Sequence, residues 1–106
     1  MGEEIDYNKL IRDKIPEIIE AAGKEYQLHQ ADDQEYLKSL LAKVREELQE
    51  FEQQPSPEEM ADIFEVLAAL IAYFDFDEEK IKEHQKKKRA ERGGFKKRLI
   101  LDKVIE

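Results

Sequence analysis

Apolar residues in the middle of the chain recur at helical spacing. Leu37, Leu40, Leu41, Val44, Leu48 and Phe51 follow the 3.6-residue period and form one stripe, which predicts a long helix, capped by Asp32 or Asp33 and running to about Gln53. Pro55-Ser56-Pro57 interrupts the pattern and marks a break. A further helix starts there, with Ser56 as N-cap and Pro57 as its first residue. From Met60 to Phe74 this helix is apolar almost all the way round. That pattern belongs to a helix buried on every side, central and shared with another subunit. After it, Asp77 is placed to cap a helix that is polar nearly all round, with only Ile81 and Ala90 apolar, and Gly93-Gly94 ends it.

The flanks carry weaker patterns. Ile15-Pro16 followed by Glu-Ile-Ile-Glu-Ala-Ala-Gly predicts a short first helix, with Pro16 in its first turn and Gly23 at its C′ position. The charged stretch Tyr7–Lys14 before it reads as extended or looped. Residues 24–30 are weakly strand-like, and the tail with Leu99, Ile100, Leu101 and Val104 is expected to form a short strand pairing with them. The fold class is all-α: one domain over residues 1–106, a bundle of about four helices with at most a small two-stranded β addition. A chain of 106 residues buries only about two-thirds of its extended surface, so association into a dimer, or less readily a tetramer, would add burial.

Composition narrows the chemistry. There is no cysteine, and the two histidines, His29 and His84, are too few and too far apart for a zinc site. A metal would have to be held by oxygen, as magnesium, manganese and calcium are. Charged residues make up 42% of the chain and the net charge is -8, which disfavours a nucleic-acid polymer or an anionic membrane as partner. The basic residues are nevertheless concentrated: Lys86, Lys87, Lys88, Arg89, Arg92, Lys96, Lys97 and Arg98 are opposed only by Glu91. A solvated helix end accounts for such a run, and so does an anion-binding segment. The first residues have neither the basic region nor the apolar core of a secretory signal, and Met60–Phe74 is too short and too polar to span a bilayer. A cytoplasmic location is the expectation.

Two acidic pairs remain, Glu47/Glu50 in Glu46-Glu47-Leu48-Gln49-Glu50 and Glu59/Asp62 in Glu59-Met60-Ala61-Asp62. With Val44 as the centre of the apolar stripe and about 100° per residue, Glu47 falls roughly 60° from the centre and Glu50 roughly 120° on the same side. Glu46 falls near 160°, facing outward. Glu47 then sits at the core margin, where a carboxylate is costly unless neutralised. Asp62 is embedded among apolar neighbours. If the two helices pack antiparallel, four carboxylates converge and require cations. Magnesium suits such a set, because it takes a few carboxylates and leaves positions for water and phosphate. Ordinary roles are also open. Glu59 three residues after Ser56 makes a capping box, Lys43 and Arg45 can pair with the glutamates, and Asp62 can pair with a basic residue from elsewhere.

Glu-Glu-x-x-Glu followed by Glu-x-x-Asp on consecutive helices resembles the MazG-like, all-α NTP pyrophosphatase superfamily. Tyr7-Asn8-Lys9-Leu10-Ile11-Arg12-Asp13-Lys14-Ile15-Pro16 and Glu91-Arg92-Gly93-Gly94-Phe95 are similar to segments of its short, phosphoribosyl-ATP pyrophosphohydrolase-like members. The resemblance covers nearly the whole chain, although the spacer between Glu50 and Glu59 is shorter than in many members. It implies Mg2+ ligands at Glu47, Glu50, Glu59 and Asp62, with Mn2+ able to substitute, and Glu46 as the first acid of the motif. It also implies hydrolysis of a nucleoside triphosphate, or a related nucleotide, to the monophosphate and pyrophosphate.

In that chemistry Glu46 and Glu50 are the candidates for the base that takes a proton from the attacking water. Lys9, Arg12, Lys88 and Arg92 are the candidate phosphate contacts, with Asp13 orienting Arg12. Tyr7, Tyr36 and Phe95 could stack on a base, though packing is the commoner use of such residues. A house-cleaning nucleotide hydrolase leads. Phosphoribosyl-ATP hydrolysis in histidine biosynthesis and a non-catalytic helical interaction module are the alternatives.

Overall fold

The computed structural model describes residues 2–106. The chain forms two compact units, Met1–Phe74 and Asp75–Glu106. The first holds α1 (Ile15–Ala21), α2 (Asp33–Gln53) and α3 (Pro57–Tyr73), and the second holds α4 (Glu78–Arg92). The protein is all-helical among the described residues.

Helices α2, α3 and α4 begin where local side-chain chemistry offers a cap. Asp32 accepts a hydrogen bond from the Glu35 amide at 2.8 Å, Ser56 from the Glu59 amide at 3.1 Å, and Asp77 from the Glu79 amide at 2.9 Å. Each satisfies one of the amides a helix start leaves without a partner. Helix α1 opens with Pro16 in its first turn and closes in a Schellman motif. Gly23 donates to Glu20 O at 2.9 Å and Lys24 to Ile19 O at 3.1 Å, with Gly23 at φ +75°, a left-handed conformation that glycine adopts without steric cost. Gly93 at φ 82° and ψ 177° ends α4, in a region of backbone space open essentially to glycine alone.

Helices α2 and α3 form an antiparallel hairpin across residues 54–56. The direction follows from its far end, where the Tyr73 hydroxyl donates to Asp33 O at 3.3 Å and the Tyr36 and Tyr73 rings lie 5.7 Å apart. Leu40 on α2 and Ile63 and Val66 on α3 are the buried apolar residues between them. That is a small core. Helix α3 is not enclosed within one chain: Met60, Phe64 and Leu67 are exposed, Phe64 at 64%. Leu41 and Leu48 on α2 are exposed as well, at 42% and 50%.

The expected two-stranded addition is absent; among the described residues no strand forms. Residues 24–30 are exposed, and two of their side chains, Tyr26 and His29, reach the helices that flank them. The Tyr26 hydroxyl donates to Glu20 at 2.7 Å, and His29 Nε2 lies 2.9 Å from both Glu35 carboxylate oxygens. The tail at Leu99, Ile100, Leu101 and Val104 is likewise exposed. Three consecutive apolar residues there lack the alternation that gives a strand one buried face, and a lone two-stranded ribbon is marginal in water. Among the described residues no helix is long and apolar enough to cross a membrane.

Candidate metal centre

The centre of α2's buried face is Leu40 and, two turns on, Glu47. Seven residues rotate a helix by about 700°, so the two point within roughly 20° of one another. Glu47 is therefore not at the core margin, as a stripe centred on Val44 predicts, but in the middle of the seam with α3. The difference comes from Leu41 and Leu48, which pull the apolar centroid toward a face the structure leaves bare.

Glu47, Glu50 and Glu59 each present an oxygen within 4.8 Å of the others, the geometry of a group able to hold a cation. Glu47 and Glu50 stack one turn apart on α2, and Glu59 enters from the first turn of α3. Glu47 Oε2 and Glu59 Oε2 are buried without a hydrogen-bond partner. Burial, then the charge of Glu50, pushes the carboxyl of Glu47 above its ordinary range, and nearby Asp62 adds to this while Lys43 opposes it. Glu59 is raised in the same way, by desolvation first and then by Glu50, Asp62 and Glu58. A buried carboxylate oxygen without a donor costs free energy, and three carboxylates this close repel one another. An oxygen-preferring divalent cation removes both penalties. The donor set is all carboxylate and fits such an ion.

The capping box is only half made. Ser56 takes the Glu59 amide, but the Glu59 side chain turns into the carboxylate group instead of reaching back to the N-cap. Asp62 has the partner that Glu59 lacks: Arg12 Nη2 lies 2.7 Å from its Oδ1. Asp62 is outside the three-glutamate group but close enough to raise both Glu47 and Glu59.

Glu46 does not face outward into water. It is half-buried, accepting from Lys9 at 2.9 Å and from Lys43 at 3.4 Å. The Lys9 hydrogen bond holds its carboxyl below the ordinary range, and Glu46 in turn raises Lys9. Lys43 also stands 3.7 Å from Glu47 Oε1; its i,i+4 spacing to Glu47 is the sequence signal for that contact.

A cleft of about 280 Å³ opens beside the seam, lined among others by Tyr7, Lys9, Arg12, Lys43, Glu47 and Asp62. The segment before α1 thus brings two of the four candidate phosphate contacts, Lys9 and Arg12, to the acidic residues. The other two, Lys88 and Arg92, sit on α4 in the second unit, one turn apart and exposed. Tyr36 packs against Tyr73. Tyr7 and Phe95 are exposed, with the Lys9 ammonium 6.0 Å from the Tyr7 ring centroid.

No family model matches this chain, and no curated protein or solved structure matches it. The side chains at the seam form an oxygen cluster that is buried at Glu47 and open at Glu50, beside a cleft lined by cations, an arrangement that can take up a divalent ion and an anion next to it.

Proposed function

We propose that the protein is a metal-dependent nucleotide pyrophosphohydrolase. It would hydrolyse a nucleoside triphosphate or related nucleotide to the monophosphate and pyrophosphate, as the resemblance to the MazG-like superfamily implies. The observation that carries the reading is that Glu47 and Glu59 each bury an unpartnered oxygen and that, with Glu50, they bring carboxylate oxygens within 4.8 Å of one another. Glu47, Glu50 and Glu59 hold Mg2+, with Asp62 completing the set and Mn2+ able to substitute. When bound, the ion neutralises phosphate charge and acidifies a water.

The chain's own groups do the rest. Arg12 and Lys9 in the adjoining cleft hold phosphate oxygens. Of the two candidate bases, Glu50 is the better placed: it belongs to the oxygen group, whereas Glu46 is engaged by two lysines and is the weaker base for it. A second copy of the chain covers the exposed apolar face of α3, giving a homodimer.

The test is to incubate the protein with a panel of nucleotides, phosphoribosyl-ATP among them, with and without Mg2+, and to follow pyrophosphate. Magnesium-dependent release from at least one nucleotide is expected. No release from any of them would sink the enzyme reading, and inorganic phosphate without pyrophosphate would sink the position of cleavage.

A further inference from the structure

The segment before α1 does something that a set of phosphate contacts need not do. Its arginine lies on Asp62, the acidic residue beside the three-glutamate group. Arg12 Nη2 is 2.7 Å from Asp62 Oδ1 across fifty residues of sequence, and both line the cleft that Glu47 also lines. The Glu47 side chain is 91% buried, with 9% of its surface exposed, and its Oε2 has no donor. Where the centre is most enclosed its only cation among the described residues is Lys43, 3.7 Å from the other Glu47 oxygen, Oε1, while its rim is served by a cation from a loop. The Arg12 and Asp62 side chains are 58% and 40% exposed, so their pair is of the weak, solvent-screened kind that a stronger ligand displaces.

We propose that Arg12 is an exchangeable stand-in for the metal ion: it neutralises Asp62 while the centre is empty, and is handed over to the anionic substrate when a divalent ion claims that carboxylate. The proposal rests on the metal-centre reading above. A guanidinium released beside a loaded centre is suited to a phosphate group, because its planar fork matches two phosphate oxygens at once. The exchange links the two binding events. Metal entry both neutralises the carboxylates and frees the arginine that recognises the substrate, so substrate binding in the absence of metal is suppressed by the same contact.

Binding measurements on the full chain test this without reference to turnover. Mn2+ is titrated into the wild type, Arg12→Met and Arg12→Lys, with free Mn2+ followed by electron paramagnetic resonance. Inorganic pyrophosphate is then titrated calorimetrically into each Mn2+-loaded protein. With its competitor removed, Arg12→Met is expected to bind Mn2+ about two- to fivefold more tightly, the range an exposed ion pair commands. Arg12→Lys keeps the charge and is expected to stay near the wild type. Pyrophosphate binding is expected to weaken roughly tenfold in Arg12→Met, and by less in Arg12→Lys.

Unchanged or weaker Mn2+ binding in Arg12→Met would overturn the exchange and make Arg12 a fixed support for Asp62. Tighter Mn2+ binding with unchanged pyrophosphate binding would overturn the hand-over to substrate. A wild type that takes up no Mn2+ at millimolar concentration would remove the metal centre itself, and this inference with it.

Discussion

Helix α3 has two faces, and each inverts the usual rule for a globular protein. Toward α2 it sets Glu59 and the part-exposed Asp62 beside the buried Glu47 and the exposed Glu50. On the other side it leaves Met60, Phe64 and Leu67 in water. Enclosed charge and exposed apolar surface are the informative exceptions in any burial pattern. The two differ in what would relieve them. The enclosed oxygens need positive charge without bulk, and a divalent ion supplies it. The exposed aromatic and aliphatic groups need apolar area, which a second protein surface would supply. One helix can therefore carry both a metal centre and an interface, and the two can be broken separately.

The largest effect is expected from the enclosed face. Glu47→Gln keeps the shape of the side chain and removes its charge, so it should abolish Mg2+-dependent pyrophosphate release by about a thousandfold or more. Near-normal turnover in that variant would show that the seam is not where metal is held. Its stability should move the other way. Without metal, removing a charge from a crowded, enclosed site is expected to stabilise by about 1 kcal/mol, seen as a rise in melting temperature of roughly 4–8 °C. With Mg2+ at about a hundred times its dissociation constant the wild type should gain about 2.7 kcal/mol, and the variant much less. A melting temperature for the wild type that ignores Mg2+ would contradict the centre directly.

The exposed face gives the next effect. Phe64→Glu places a charge where the apolar surface is most exposed and, in a two-fold dimer, places it twice. Self-association measured by sedimentation should weaken on the order of 100-fold. The far-ultraviolet circular dichroism of the helices should stay unchanged, because Phe64 is outside the buried set of Leu40, Ile63 and Val66. Association at wild-type strength would mean that a second copy does not sit on this face.

The parts of this arrangement that could be read from the sequence are those settled within a few residues. Asp32, Ser56 and Asp77 cap their helices because an N-cap needs only its own amide three residues on or fewer, and Gly93 stops α4 for the same local reason. The acidic quartet was legible as a set of candidates, because its helical spacing is also local. What was not legible was the division of labour within it. Asp62 is the residue an apolar setting singles out, yet it has Arg12 from fifty positions away. Glu46 looks outward on a helical wheel, yet Lys9 reaches it from thirty-seven positions away. Such pairings are decided by how the segment before α1 lies on the hairpin, which no periodicity records. The wheel also placed Glu47 too far out, since it counted Leu41 and Leu48 toward the chain's own core. The strand expectation failed for a related reason: apolar residues at 99–101 do not say which surface, if any, they meet.

The smallest effect separates a local role from the metal role at one position. Ser56 and Glu59 have the spacing of a capping box, and a complete box would make both residues matter to the start of α3. The structure completes only the serine half, and the Glu59 carboxylate joins Glu47 and Glu50. Ser56→Ala should therefore cost about 1 kcal/mol, a fall of roughly 4–8 °C in melting temperature, and leave Mn2+ affinity unchanged. Glu59→Gln should do the opposite. Its metal-free melting temperature should not fall, because no cap is lost and one enclosed charge is removed, while Mn2+ binding should weaken at least about tenfold. A drop in metal-free stability comparable to that of Ser56→Ala, with Mn2+ affinity intact, would return Glu59 to the role of a capping residue. The centre would then be left with Glu47 and Glu50 on α2 and, from α3, only Asp62, which already has Arg12 as its partner, a set too sparse to need a metal ion.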